Sequence, residues 1–156
     1  MITIKTILCP VDFFPASDNA LQYAAALAED YGAKIHLLHV ITPLLPVARD
    51  YTGAIEITKS VEDAVTIRMN QLVANLQTRG LAVTSKIFTG DVHLWIEDTL
   101  ATEEPDLIVM GSQPRSGVRR FFRGSLAEWL MRNSPVPVLV ISEKQKISIQ
   151  QPRRVA

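Results

Sequence analysis

Asp106-Leu107-Ile108-Val109-Met110-Gly111-Ser112-Gln113-Pro114-Arg115-Ser116-Gly117-Val118-Arg119-Arg120-Phe121-Phe122-Arg123-Gly124-Ser125 is the stretch from which the fold is read. Leu107 to Met110 is a short apolar strand. It runs into a loop with three glycines, four arginines and no acid, and a helix starts at Ser125. Strand, glycine loop and helix in that order form the repeating unit of an open α/β sheet. Glycines let backbone N–H groups approach an anion closely, and a helix N-terminus adds partial positive charge. The loop therefore has the composition of a phosphate cradle. Its weak point is Pro114, which has no N–H to donate.

Outward from that unit, strands and helices alternate. Thr3 to Val11 is an apolar run suited to a strand buried on both faces. Pro15 opens a helix to about Asp30, with Leu21, Ala24, Ala25 and Ala28 on one stripe and Gly32 just past its end. Lys34 to Ile41 is the second strand. Thr42 to Ile57 contains prolines and shows no period, which predicts a mobile loop. The next helix, Thr58 to Arg79, carries Val61, Val65, Met69, Leu72 and Leu76 on one stripe, and Gly80 ends it.

Leu81 to Phe88 is a less apolar strand, suited to a sheet edge. Gly90-Asp91 caps a short helix with Val92, Trp95, Ile96 and Leu100 facing inward, stopped by Pro105. After the glycine loop, Ser125-Leu126-Ala127-Glu128 matches a capping box for a helix to about Asn133. Val136 to Ile141 is the fifth strand. Residues 1–142 read as one domain and 143–156 as a polar, disordered tail. Five strands alternating with four helices predict an α/β fold: a doubly wound, Rossmann-like, five-stranded parallel sheet.

The 156 residues suffice for one domain with its own core. Lys plus Arg and Asp plus Glu are 16 each, so no global field selects nucleic acid or an anionic membrane. The arginines cluster at Arg115, Arg119, Arg120 and Arg123, an anion-sized group rather than an extended nucleic-acid face. Glu97, Asp98, Glu103, Glu104 and Asp106 read as solvated surface. Cys9, the single cysteine, excludes an intramolecular disulfide and sits in an apolar strand as a buried thiol. No apolar run approaches the ~20 residues of a membrane span, and no signal peptide is visible, so a cytoplasmic location is expected. His36 and His39 alternate with apolar residues and read as packed histidines, His93 as surface, and Trp95 and Trp129 as core anchors. None of these is spaced for a metal.

In doubly wound sheets, ligands bind beyond the carboxyl ends of the strands where the strand order reverses. Cys9-Pro10-Val11-Asp12 ends the first strand, and the glycine-arginine loop follows the fourth. If those strands are neighbours, the two loops face one crevice, with a carboxylate for ribose hydroxyls on one side and a phosphate cradle on the other.

In this order and spacing the chain resembles the universal stress protein family from Ile7 to Ile141. The resemblance rests on Ile7-Leu8-Cys9-Pro10-Val11-Asp12, Leu37-Leu38-His39-Val40, Gly90-Asp91, Asp106 to Ser112, and Gly124-Ser125 through Asn133-Ser134-Pro135-Val136-Pro137-Val138-Leu139-Val140. Nucleotide-binding members of that family carry Gly-x2-Gly-x9-Gly-Ser/Thr. Here the motif falls on Gly111, Pro114, Gly124 and Ser125, with the nine-residue spacer intact and one glycine altered. The resemblance implies that Asp12 holds ribose, that the Val40 backbone meets adenine and that the Gly124-Ser125 turn binds phosphates. The nucleotide-binding set is then Pro10, Val11, Asp12, Val40, Met110, Gly111, Ser112, Arg115, Gly117, Gly124, Ser125 and Leu126. Family members commonly have serine where this chain has Phe14, a lost helix cap at a cost of about 1 kcal/mol.

The expectation is a regulatory protein of the stress response that binds ATP or AMP, with or without Mg²⁺. It is expected to pair as a homodimer through the last strand (Val136 to Ile141) and to act on a protein partner. Losing one charge-assisted bond at Pro114 weakens phosphate binding by about ten- to a hundredfold, and Arg115 or Arg119 can supply charge in its place. The competing expectation is an interaction module of the same fold with an empty crevice, for which Pro114 and Phe14 speak. Catalysis would need a carboxylate near the phosphates. None lies between Gly111 and Ala127, so slow ATP hydrolysis is the most that is expected.

Overall fold

The computed structural model describes residues 1–43, 51–112 and 126–145, with the backbone alone over 51–57. The chain runs β1 (Thr6–Pro10), α1 (Pro15–Tyr31), β2 (Lys34–Ile41), α2 (Tyr51–Thr78), β3 (Val83–Thr89), α3 (Val92–Glu103), β4 (Leu107–Ser112), α4 (Leu126–Asn133) and β5 (Val138–Ser142). The strands form one sheet in the order β3-β2-β1-β4-β5, and every pairing is parallel. The strand order reverses between β1 and β4, so the first and fourth strands are neighbours.

Alternation along the buried strands sends side chains to two cores. Ile7, Cys9, Ile35, Leu37 and Val109 pack against the alanine stripe of α1 and against Met69 and Leu76 of α2. Leu8, Leu38, Ile108 and Met110 pack against Ile96 of α3 and Leu130 of α4. The small residues Ala20, Ala24, Ala25 and Ala28 are fully buried and let α1 lie close to the sheet. Gly32 terminates α1 in the left-handed conformation, φ 66°, and Ala33 N–H donates back to the Ala28 carbonyl at 3.0 Å.

Several boundaries differ from those the sequence predicts. The helix expected from Thr58 begins at Tyr51, so residues 51–57 are helical rather than loop; 44–50 lie outside the described residues. Val61 does not join the inward stripe and is 39% exposed, the core contact of α2 beginning further along, at Met69 and Leu76. β1 begins at Thr6 because its partner β2 begins opposite it at Lys34. The third strand begins at Val83, Leu81 being buried just before it. β5 begins at Val138, opposite Ile108, after Pro137, which has no N–H to donate and instead accepts from Ile108 N–H at 2.9 Å. The start of the polar tail is held: the Asn19 amide on α1 donates to the carbonyls of Ser142, Glu143 and Gln145 at 3.0–3.3 Å. Residues 146–156 lie outside the described residues.

β3 is an edge strand, as its weaker apolar pattern predicts. Trp95 and Trp129 pack at the rim of the second core rather than inside it. Trp95 stacks flat on Phe88 with ring centroids 3.9 Å apart and donates its indole N–H to the Thr89 carbonyl at 3.1 Å. Trp129 takes the His93 imidazole edge-on, so His93 is half-buried rather than plain surface. Cys9 is fully buried, and burial pushes its thiol pKa up to about 12, leaving it without nucleophilic character at neutral pH.

Candidate functional site

A crevice opens at the carboxyl end of the sheet, where the strand order reverses. It is lined by Pro10, Val11, Asp12, Ser17, Leu38, His39, Val40, Val92, Ile96, Met110, Gly111 and Leu126, around a cavity of about 100 Å³. The structure thus brings Pro10, Val11, Asp12, Val40, Met110, Gly111 and Leu126 to one place. Ser112 is the last residue of β4 but does not line the crevice. Arg115, Gly117, Gly124 and Ser125 lie outside the described residues, as do Pro114 and Arg119. The cavity is smaller than the roughly 300–1,000 Å³ of a complete small-molecule pocket. Residues 113–125, between Ser112 and Leu126, lie outside the described residues.

Asp12 is set by its own turn. Its Oδ1 accepts from Phe14 N–H at 3.0 Å, and its backbone N–H donates to the buried Ser17 hydroxyl at 3.1 Å. This is the local bonding that favours Asp between a strand and a helix. Phe14 is the helix N-cap and supplies no side-chain cap, as its identity predicts; Pro15 begins the helix in its place. Phe14 is 55% exposed and does not line the crevice. Its neighbour Phe13 does the packing instead: it adopts φ 64°, lies with its ring centroid 4.7 Å from that of His39, and carries the Arg68 guanidinium 4.4 Å above its ring.

Gly111 is glycine for a reason that a tight turn does not supply. It lies within β4, and a Cβ there would stand 2.5 Å from Ala16 C and Ser17 N in the first turn of α1. No side chain fits, so the residue lets the helix start close against the strand end. The crevice is narrow there because backbone meets backbone.

His39 lines the crevice and was not among the predicted contacts; nor were Ser17, Leu38, Val92 and Ile96. Only its place in the alternation beside Val40 hinted at His39. Its Nδ1 is 2.7 Å from the Val11 carbonyl, which can only accept, so Nδ1 carries the proton. Burial lowers its pKa below the usual histidine value, opposed by that carbonyl and by Asp12. His36 lies at the other end of the sheet. It is buried, with Nδ1 2.7 Å from Thr84 Oγ1, and burial lowers its pKa against the pull of Glu103.

Two of the acids read as solvated surface are built into the fold. Asp106 accepts from Lys5 N–H at 2.7 Å and Thr6 N–H at 2.9 Å, joining the start of β4 to the start of β1. Glu103 pairs with Lys86 at 2.8 Å and Lys34 at 3.8 Å. These bonds hold both carboxyls below their usual pKa range. At the start of α3, Asp91 accepts from His93 and Leu94 N–H groups as the predicted cap. Among the described residues no group of three His, Cys, Asp or Glu side chains could hold a metal, and no helix is long and apolar enough to cross a membrane.

A parallel five-stranded sheet, covered by helices on both faces and opening a crevice at its point of reversal, defines a Rossmann-like α/β protein. Residues 3–142 match the Universal stress protein family, and the chain belongs to that family. Universal stress protein MJ0577 of Methanocaldococcus jannaschii is 28% identical over 158 residues, covering 92% of this chain and 98% of that protein. The solved universal stress protein UspA from Lactobacillus plantarum superposes with a TM-score of 0.77 at 24% identity, covering 90% of this chain and 99% of that one. A universal stress protein family protein from Arabidopsis thaliana, solved with AMP bound, superposes at 0.65 with 18% identity, covering 88% and 91%.

Proposed function

We propose that this chain is a regulatory adenine-nucleotide-binding protein of the stress response, taking ATP or AMP in the crevice between the ends of β1 and β4. The observation that carries the reading is the convergence of Asp12, Val40, Met110 and Gly111, from three strand ends, on one crevice at the reversal point. The AMP bound to the Arabidopsis relative of the same fold supports the ligand class. In this reading Asp12 takes the ribose hydroxyls, and the Val40 backbone meets adenine. Met110 and Gly111 border the phosphate path, which continues to Arg115, Gly117, Gly124 and Ser125. With no carboxylate between Gly111 and Ala127 to hold a metal or activate water, slow ATP hydrolysis is the most that this reading allows.

Calorimetric titration of nucleotide-stripped protein with ATP and Mg²⁺, with AMP as comparison, tests the reading. Saturable binding, tighter for ATP than for AMP, is expected; no heat up to millimolar ligand overturns it. Pro114→Gly is expected to tighten ATP by about tenfold, since it restores a donor. Gly124→Val is expected to abolish binding without unfolding the chain.

Pro114 in the place of the second motif glycine favours one other reading, a dimeric interaction module that binds no nucleotide. Both readings share a homodimer through β5, which lies at the sheet edge and leaves Leu139 36% exposed. Sedimentation of wild type against Leu139→Lys tests that dimer: a dimer converted to monomer is expected, and a wild-type monomer overturns it.

A further inference from the structure

We infer that His39 is the positioning residue of the crevice, clamping the turn that carries Asp12 from both sides. The inference rests on the reading of this crevice as a nucleotide site. The paired register of β1 and β2 stops at Pro10 and Leu38. One residue further, Val11 N–H still donates to the Leu38 carbonyl at 2.8 Å, but the Val11 carbonyl takes the His39 imidazole. That is the first contact. The second is on the far side of Asp12, where the Phe13 ring packs against the same imidazole. Asp12 is therefore bracketed by two residues that both rest on His39.

The bracket has work to do because the turn is not comfortable on its own. Phe13 at φ 64° is in the left-handed region, which costs a residue with a Cβ about 1 kcal/mol or more. It persists because its ring is held between His39 and Arg68 of α2. Among the described residues the only hydrogen bond that the Asp12 carboxylate makes is to Phe14 N–H, within its own turn. Among the described residues no distant partner fixes the carboxylate, so its place in the crevice follows the turn, which His39 holds together with the Ser17 hydroxyl on the Asp12 N–H. A carboxylate that must meet two vicinal hydroxyls has to be held to within about half an ångström.

Two substitutions separate the clamp's two contacts. His39→Phe keeps a ring against Phe13 and removes the donor; His39→Asn keeps a donor near the Nδ1 position and removes the ring. Amide hydrogen exchange is followed at Phe14 in the ligand-free full chain, with the Leu8 amide in the core as reference, and adenosine and AMP affinities are measured by calorimetry. In His39→Phe the Phe14 amide is expected to exchange about five- to tenfold faster while Leu8 is unchanged, and adenosine and AMP to weaken together by a similar factor. His39→Asn is expected to restore both to within about threefold of wild type. Wild-type protection of Phe14 in His39→Phe, or equal acceleration at Leu8, overturns the positioning role. Absence of adenosine and AMP binding in the wild type overturns the nucleotide reading instead, and the exchange measurement still decides the clamp.

Discussion

At the amino end of the sheet, Asp106 bonds two backbone N–H groups of the neighbouring strand segment, and Glu103 bridges two lysines from β2 and β3. At the carboxyl end, the Asp12 carboxylate bonds a backbone N–H two residues on, within its own turn. The side-chain chemistry is the same and the use is opposite. Acids at the first end spend their lone pairs joining segments that are distant in sequence; the acid at the second end is held locally and faces a crevice. The contrast gives the amino end a role in stability and, under the proposed function, leaves ligand recognition to the carboxyl end, the division expected of an open parallel sheet.

The contrast is least clean at Gly111, which lines the crevice yet is confined by the backbone of α1. Gly111→Val is expected to cost roughly 3 kcal/mol in urea unfolding, at the upper end of overpacking effects; a loss below about 1 kcal/mol would mean that α1 gives way easily and the crevice end carries no packing role. Asp106→Ala is expected to lower stability by about 1 kcal/mol, since its two bonds are solvent-exposed, and to leave AMP affinity unchanged. A changed affinity would break the division between the two ends.

Acid titration reaches both ends, each of which holds one buried or half-buried histidine. His36 has its pKa lowered in the folded chain, so the unfolded chain takes up a proton first as pH falls. The stability due to its neutral form is complete above the unfolded value of about 6.5 and is lost as pH falls from there to the lower folded value. His39 adds in the same sense. The melting temperature is expected to fall between pH 7.5 and 5.5, and to fall less in His36→Leu; an equal fall would remove His36 from the account. The smallest stability effect is expected for Asp12→Ala, about 0.5 kcal/mol, together with a common loss of affinity for adenosine and AMP. Weakening confined to phosphate-bearing ligands would misplace Asp12 in the site.

Much of this was legible in the residues. β2 runs from Lys34 to Ile41 and α1 starts at Pro15, as their patterns predict, because apolar period, an N-terminal proline and a terminal glycine are local signals. The early start of α2 at Tyr51 was not legible. Residues 51–57 show no apolar stripe, and a helix already formed downstream extends at little further cost. Phe13 and His39 were missed for a different reason. Nothing at position 13 marks a left-handed turn, and an alternating histidine looks the same whether it fills a core or clasps a carbonyl.

Local periodicity, caps and breakers determined from sequence alone that this chain is an alternating α/β domain, and the order of its motifs resembled one family. Only tertiary structure decided that β1 lies beside β4 and that Asp12 and Gly111 share a crevice. It also decided that His39 reaches Val11 across 28 positions and Asp106 reaches Lys5 across 101. The physical reason is that parallel strands are joined by crossovers. Their neighbours are distant in sequence, and the contacts that define the site leave no mark on the residues between them.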